Sequence, residues 1–354
     1  MDHNATAGSA VRTASSWVVV GLDNGGTCNN ATVLDATGEF LVDRLVENPS
    51  RVTEGPQTAV EQLAAAFAGI LTMTSTPVTL VRAVGLDTPG PATADGVISS
   101  KGSTNFNQEA WHGFDIRGAL EARIGLPVIY HNDANAAALY AHHRHFGAQA
   151  MTRSSVAAIV GTGLGGGVVE LGRVISGAAG MAGELGHVQI PLHDVLEPGQ
   201  PVPVCNCGFD SDVESIASLT GITNNLLPYW LSRFPDHPLA GEPLPRAAKM
   251  LRGYAEKEDP LAMAVFGQQA RAIGKLFTVA ANFTDPHAYF LGGGVVEAAP
   301  GFRGWFLDTV RQHTHLRREQ QAVAEFALVP DLDMAGARGA AVAALDAVRS
   351  GPGA

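Results

Sequence analysis

The sequence predicts an α/β protein of two lobes, each built on its own sheet, and three observations carry that prediction. A strand, glycine loop, strand unit occurs twice. Val18-Val19-Val20-Gly21-Leu22 runs into Asp23-Asn24-Gly25-Gly26-Thr27 and then Ala31 to Leu34; Val156-Ala157-Ala158-Ile159-Val160 runs into Gly161-Thr162-Gly163-Leu164-Gly165-Gly166-Gly167 and then Val168 to Leu171. After each hairpin, short apolar runs alternate with helical spacings, the order that lays helices on a sheet. Finally, 354 residues with 46% hydrophobic content exceed one small core and fit two domains of ordinary size.

The elements follow in chain order. The first hairpin turns at Ala36-Thr37-Gly38 before more apolar residues. From Gly55 to Leu71, Val60, Leu63, Ala64, Phe67 and Ile70 recur at helical spacing, and Val78 to Leu86 reads as a buried strand ending in the loop Thr88-Pro89-Gly90-Pro91. Leu120 to Ile124 predicts a helix, Val128-Ile129-Tyr130 a strand, and Asn132-Asp133 a cap on the alanine-rich helix Ala134 to Phe146. The second hairpin turns at Gly172-Arg173 and leads into the loop-rich stretch Ser176 to Asp212, with helices from Glu214 onward. A long buried helix is expected over Gly267 to Phe283, a strand over Ala288 to Leu291 ending in Gly292-Gly293-Gly294, and a C-terminal helix over Ala335 to Val348 despite its two glycines. The expected domains are a disordered tail over 1–16, an N-terminal lobe over 17–133 completed by the helix 335–350, and a C-terminal lobe over 134–334 carrying a metal loop at 187–212. The far end, Gly351 to Ala354, is also expected to be disordered.

A net charge of −11 without a Lys/Arg cluster excludes a nucleic-acid surface, whose affinity comes from neutralising phosphates. No apolar run approaches the roughly 18 residues of a membrane span, and Met1 to Ser16 lacks the layout of a signal peptide, so a cytoplasmic protein is expected. Three cysteines do not make a disulfide framework, and the pair Cys205-Asn206-Cys207 invites a metal instead; Cys28 reads as a small buried residue.

Glycines let backbone N–H groups converge on phosphate oxygens without obstruction by side chains. Residues 161 to 166 match G-x-G-x-x-G, but a dinucleotide site needs a helix next, and Val168-Val169-Glu170-Leu171 continues as a strand. No Lys-Ser/Thr follows either loop, so a P-loop fails as well. Each loop alone reads equally as a tight turn. Together, with the carboxylate of Asp23 and the hydroxyls of Thr27 and Thr162, they read as a polyphosphate site of a two-lobed phosphotransferase.

Several motifs in combination resemble the ROK family of carbohydrate kinases, the bacterial glucokinase-like branch, over Val18 to about Leu345. They are Asp23-Asn24-Gly25-Gly26-Thr27, Thr88-Pro89-Gly90-Pro91, Asn132-Asp133-Ala134-Asn135-Ala136-Ala137, Gly161 to Gly167, Gly183-Glu184-Leu185-Gly186-His187, Cys205-x-Cys207-Gly208, Glu214-x-x-x-Ser218 and Leu291-Gly292-Gly293-Gly294. The resemblance implies an actin/hexokinase-like fold with a duplicated βββαβα core and a cleft between lobes. It also implies an ATP- and Mg²⁺-dependent kinase acting on a primary hydroxyl, and a homodimer. By that resemblance Asp23, Gly25, Gly26 and Thr27 handle Mg²⁺ and phosphate, with Asp23 at the metal. Gly161, Thr162, Gly163 and Gly165 grip the nucleotide phosphates, and Gly292, Gly293 and Gly294 lie beside the adenosine. The sugar falls to Asn105, in Ser103-Thr104-Asn105-Phe106, and to Asn132, Asp133, Glu184, His187 and Glu214, because buried hydroxyls need partners.

Phosphoryl transfer to an alcohol needs a group that takes the hydroxyl proton. Asn-Asp before an alanine-rich helix is by itself an ordinary cap; the resemblance places the catalytic base at Asp133. His187, Cys205 and Cys207 resemble three ligands of the family's structural zinc, which reads His…C-x-C-G-x-x-G-C-x-E. Here Asp212 stands at the last cysteine, and an aspartate is an acceptable ligand at about 2.0–2.2 Å. A metal-free loop with two reduced thiols is the alternative.

Glucose is the family's default acceptor. Asn24, Cys28-Asn29-Asn30 and Asp212 depart from the glucokinase pattern and resemble the C7-cyclitol kinases, which phosphorylate valienone-like polyols at the 7-hydroxyl. GTP or polyphosphate as donor stays open, since backbone N–H groups recognise phosphate and not the base. A sugar-responsive regulator is disfavoured by the acidic charge and because only Met1 to Leu22 precede Asp23, too few for a helix-turn-helix segment.

Overall fold

Valine-rich runs bounded by glycine turns form the centre of each of two sheets. The computed structural model describes residues 16–90, 92–99 and 104–351. The tails expected to be disordered, apart from Ser16 and Gly351, lie outside the described residues, as do Pro91 and Ser103. The chain divides into two compact units, one of residues up to 143 with 176–182 and 333 onward, the other of 144–175 and 183–332.

In the first unit, β1 (Val18–Asn24) pairs antiparallel with β2 (Cys28–Asp35), and β2 with β3 (Val46–Pro49). On its other side β1 pairs in parallel with β4 (Val81–Thr88), which pairs in parallel with β5 (Val128–Asn132), giving the order β3-β2-β1-β4-β5. β1 and β4 are near-continuous apolar runs because both faces of the sheet are covered. On one face α1 (Pro56–Met73) and α2 (Ile116–Ile124) contribute Leu63, Phe67, Ile70 and Leu120 to a core with Val20, Leu22 and Val84. The C-terminal helix, Ala335–Ser350, lies on β1 and β4. It approaches so closely that a Cβ at Gly85 would sit 1.8 Å from the carbonyl oxygen of Ala340. Gly339 meets α3 (Asp133–Phe146) in the same way, its Cβ position 1.8 Å from the carbonyl oxygen of Ala136. Glycine weakens an isolated helix, but here the contact it permits outweighs that cost.

The second unit repeats the pattern. β6 (Ser155–Val160) pairs antiparallel with β7 (Leu164–Glu170), which pairs with β8 (Arg173–Val174); β6 pairs in parallel with β9 (Ala288–Gly293), and β9 with β10 (Glu325–Leu328). The order β8-β7-β6-β9-β10 matches β3-β2-β1-β4-β5 strand for strand, so the duplicated core that the resemblance implied is present. The helices Leu244–Ala255, Pro260–Thr284 and Pro300–Gln312 pack Leu251, Ile273, Phe277 and Phe306 into its core.

Element ends differ from expectation where local chemistry intervened. The strand expected from Val78 starts at Val81, because Val78–Leu80 form a 3₁₀ turn after Pro77 with Val78 51% exposed. The helix expected from Gly267 starts at Pro260, where Asp259 caps it by accepting from the N–H of Ala262 at 3.0 Å. The helix read from Leu120 starts at Ile116, capped by Asp115 through the N–H of Gly118 at 2.7 Å.

Candidate active site

The parallel register of the first sheet sets carboxylates side by side at strand ends, where open α/β sheets bind their ligands. Asp23 lies opposite Asp87, Asp87 opposite His131, and Thr88 opposite Asn132. Asn30, across the hairpin, donates its amide to Asp23 Oδ2 at 2.9 Å. Burial raises the pKa of Asp23, and raises that of Asp87 well above the usual carboxylate range, the charges of Asp23 and Asp133 adding to the effect. Burial also pushes the His131 imidazole down to about 4, so it is neutral at pH 7. Asp87 was not among the residues singled out from sequence. It sits between the apolar run ending at Leu86 and the Thr88 loop, and its one signal was a lone acid continuing a buried strand.

The first glycine loop is braced by side chains. Gly25 N–H donates to the carbonyl oxygen of Cys28 at 3.0 Å, and the Asn24 amide donates to Asn29 Oδ1 at 2.6 Å with both residues fully buried. A Cβ at Gly26 would sit 2.1 Å from Asn105 Nδ2, so Asn105 lies against the loop. Thr27 is exposed. Cys28, expected to be buried, is half-buried because it opens β2 at the rim of the loop, its sulfur 3.6 Å from Thr27 Oγ1.

The Asn-Asp pair before α3 divides two tasks. Asn132 Oδ1 accepts from the N–H of Asn135 at 2.8 Å and so caps the helix. Asp133 is the first helical residue, exposed, with Oδ1 accepting from the N–H of Ala134 at 2.7 Å. Its position beside the positive end of the helix suits an anion.

In the second unit, the glycine loop between β6 and β7 is anchored from the segment after Glu214. Leu219 N–H donates to the oxygen of Gly161 at 3.0 Å, and Thr220 gives its N–H at 3.1 Å and its hydroxyl at 2.8 Å to the oxygen of Thr162. Leu164 N–H donates to Glu214 Oε2 at 2.8 Å, and a Cβ at Gly163 would meet the same oxygen at 2.7 Å. Gly165 lies in β7 and Thr162 is exposed at the tip. Of Gly292, Gly293 and Gly294 only the last is exposed; Gly292 packs on Ile159, and Gly293, at φ 98°, packs on the backbone of Val160.

His187, Cys205, Cys207 and Asp212 converge, each offering a ligand atom within 4.8 Å of the others. Asp212 Oδ2 is 3.1 Å from His187 Nδ1 and 3.6 Å from Cys207 Sγ, and Cys205 Sγ is 4.0 Å from His187 Nδ1. Asp212 is fully buried, and its other oxygen accepts from the N–H of Ser215 at 2.8 Å, holding the turn Glu214–Ala217. One nitrogen, two sulfurs and one oxygen so arranged suit a tetrahedral divalent ion with ligand distances of about 2.0–2.3 Å. Burial pushes the Cys205 thiol up, the reverse of what a bound cation does to a thiol. The Cys205 thiol also lies 3.5 Å from Glu214 Oε1, so Glu214 links this cluster to the second glycine loop. Burial raises the Glu184 carboxyl.

Asp23, Gly25, Gly26, Thr27, Asn105, Asn132 and Asp133 all lie in the first unit, Asn105 against the glycine loop. Gly161, Thr162, Gly163, Gly165, Glu184 and Glu214 lie in the second, with the cluster of His187, Cys205, Cys207 and Asp212. Among the described residues no helix is long and apolar enough to cross a membrane.

The ROK family model matches residues 19–347. A glucokinase from Halalkalibacterium halodurans is 31% identical over 303 residues, 83% of this chain and 84% of that protein. The crystal structure of a ROK hexokinase from Thermus thermophilus superposes with a TM-score of 0.71 at 32% identity, covering 94% of this chain and 100% of that one. A ROK family glucokinase from Streptomyces griseus, in complex with glucose and AMPPNP, superposes at 0.66 with 26% identity, covering 93% and 99%.

Proposed function

The chain belongs to the ROK family, and from that premise we propose that it is a sugar kinase that transfers the γ-phosphoryl group of ATP to the primary hydroxyl of a hexose. The observation that carries the reading is the strand, glycine loop, strand hairpin at the same place in two sheets of the same strand order. In this reading the loops present backbone N–H groups to the phosphates, Asp23 faces the Mg²⁺ that accompanies them, and Asp133 faces the acceptor hydroxyl. The hydroxyl oxygen attacks the γ-phosphorus as its proton passes to Asp133; the bond to the bridging oxygen breaks and ADP leaves with the electron pair. Mg²⁺ supplies neutralisation of the phosphate charge. With Asn132 as cap, Asp133 stays ready for that proton. The sugar-binding role is assigned to Asn105, Asn132, Asp133, Glu184, His187 and Glu214, and the cluster of His187, Cys205, Cys207 and Asp212 is assigned to one structural zinc.

Glucose is the favoured acceptor. Three of the departures that pointed to a C7-cyclitol have structural work in the first hairpin: Asn24 and Asn29 bond each other, and Asn30 holds Asp23. A cyclitol such as valienone or validone, phosphorylated at its 7-hydroxyl, is the second reading, and rests on Asp212. The test is ADP release with ATP and Mg²⁺ against glucose, mannose, fructose, N-acetylmannosamine, valienone and validone, with product masses and with GTP and polyphosphate as alternative donors. A kcat/KM highest for glucose supports the first reading, and one highest for a cyclitol supports the second. Sugar binding without turnover on any acceptor replaces both with a sensor. A cytoplasmic homodimer completes the reading, checked by light scattering of the purified protein.

A further inference from the structure

Asp87 has no part in the chemistry above, yet it lies next to the end of a strand buried from Ala83 onward and exposes none of its own surface. Side chains alternate along β1, so Asp23 and Asn24 point to opposite faces. Asn24 is taken up by Asn29, whereas the cross-strand neighbours of Asp23 are Asn30 on β2 and Asp87 on β4. Asp23 and Asp87 are directly opposed across the parallel strands, and no donor serves either oxygen of Asp87. The atom of Asn30 left without a partner is also an acceptor, Oδ1. Gly336 closes this corner; a Cβ there would stand 3.2 Å from both Asp23 Cγ and Asp87 Oδ2. Asp87, a buried acid with no donor at either oxygen, is compensated by a proton or by a cation.

We propose that Asp87 completes, with Asp23, a two-carboxylate seat for a divalent cation within the first unit, which binds Mg²⁺ or Mn²⁺ before any nucleotide arrives. Mg²⁺ is commonly held by one or two carboxylates, its other positions left to water and substrate phosphate, and this pair supplies that number. Asp133 stays outside the ligand set: among the described residues, the one group of three or more such side chains close enough for a shared ion is that of His187. The proposal leans on the kinase reading only for what the cation does next; its binding needs neither sugar nor nucleotide.

The experiment is a Mn²⁺ titration of the zinc-loaded, nucleotide-free protein, followed by the electron paramagnetic resonance signal of free Mn²⁺. Wild type is expected to take up one Mn²⁺, and Asp87→Asn and Asp87→Ala to weaken that uptake by at least about tenfold, the scale on which altered metal sites lose affinity. Circular dichroism confirms which variants are folded. A folded variant that binds Mn²⁺ as wild type does, or a wild type that binds none without nucleotide, overturns the seat. Turnover of a sugar alongside either of those results leaves the kinase reading intact. Mn²⁺ uptake that depends on Asp87 in a protein that phosphorylates nothing retains the seat and removes the kinase reading.

Discussion

Asn132 takes the N–H of Asn135 and Asp133 that of Ala134, and the two residues are separable by substitution. Asp133→Asn keeps size and polarity but cannot accept the acceptor's proton, so kcat is expected to fall by about 10²–10⁴ while sugar affinity, read by calorimetry, changes little. Lost affinity with turnover intact removes Asp133 from the role of base. Asn132→Ala removes the acceptor for Asn135 N–H and is expected to cost about 1 kcal/mol of stability, seen as a lower melting temperature. If Asn132→Ala melts like wild type, the cap is carried by another group. At this scale the sequence was informative about neighbours and silent about partners. Asn132 and Asp133 adjoin in the chain, so a cap and an acid were both visible. Asp87 meets Asp23 only through the register of β1 on β4, and no local pattern encodes that register.

The segment from His187 to Thr220 acts as one element. Asp212 gives one oxygen to the ligand cluster and the other to Ser215 N–H; Glu214 reaches Leu164; Leu219 and Thr220 hold the oxygens of Gly161 and Thr162. A metal that fixes Asp212 therefore also fixes the second glycine loop. Elemental analysis is expected to find about one zinc per chain, and chelation to lower both the melting temperature and the affinity for ADP. Asp212→Ala should melt like the chelated protein with or without added zinc; wild-type zinc content and stability in that variant exclude Asp212 as a ligand. That His187, Cys205, Cys207 and Asp212 belong together was legible from the motif, and so were the long elements, whose periodicity is strong. Element ends were less so, since caps decide them: Asp259-Pro260 starts a helix whose buried face already includes Leu261 and Val265, ahead of the expected start at Gly267, and Pro77 delays a strand. The anchoring of the glycine loop by Glu214 joins residues 50 apart, and the hydrogen bond from Leu164 N–H that makes it exists only in the folded chain.

For the whole molecule, buried ionisable groups in the first unit pull stability in opposite directions with pH. His131 has its folded pKa lowered to about 4 from 6.5, so it contributes stability that is present above pH 6.5 and is lost as pH falls through about 4. Asp87 has its folded pKa raised above the unfolded value of 3.8, so its contribution is present below 3.8 and is lost as pH rises through the folded pKa; Asp23 acts in the same sense. In the absence of divalent cations the protein is therefore expected to be less stable on the alkaline side than its carboxylate content alone implies. Asp87→Asn replaces a carboxyl that must ionise with an amide that cannot, and removes that limb while leaving the His131 limb in place. Calorimetric melting temperatures in chelator from pH 4 to 9 should show the variant gaining on wild type as pH rises and converging with it toward the acid end. The gain should shrink when Mg²⁺ is added, because only wild type has the second carboxylate to receive it. A constant offset at every pH, or one that grows toward acid, assigns the effect of the substitution to packing and not to a buried charge.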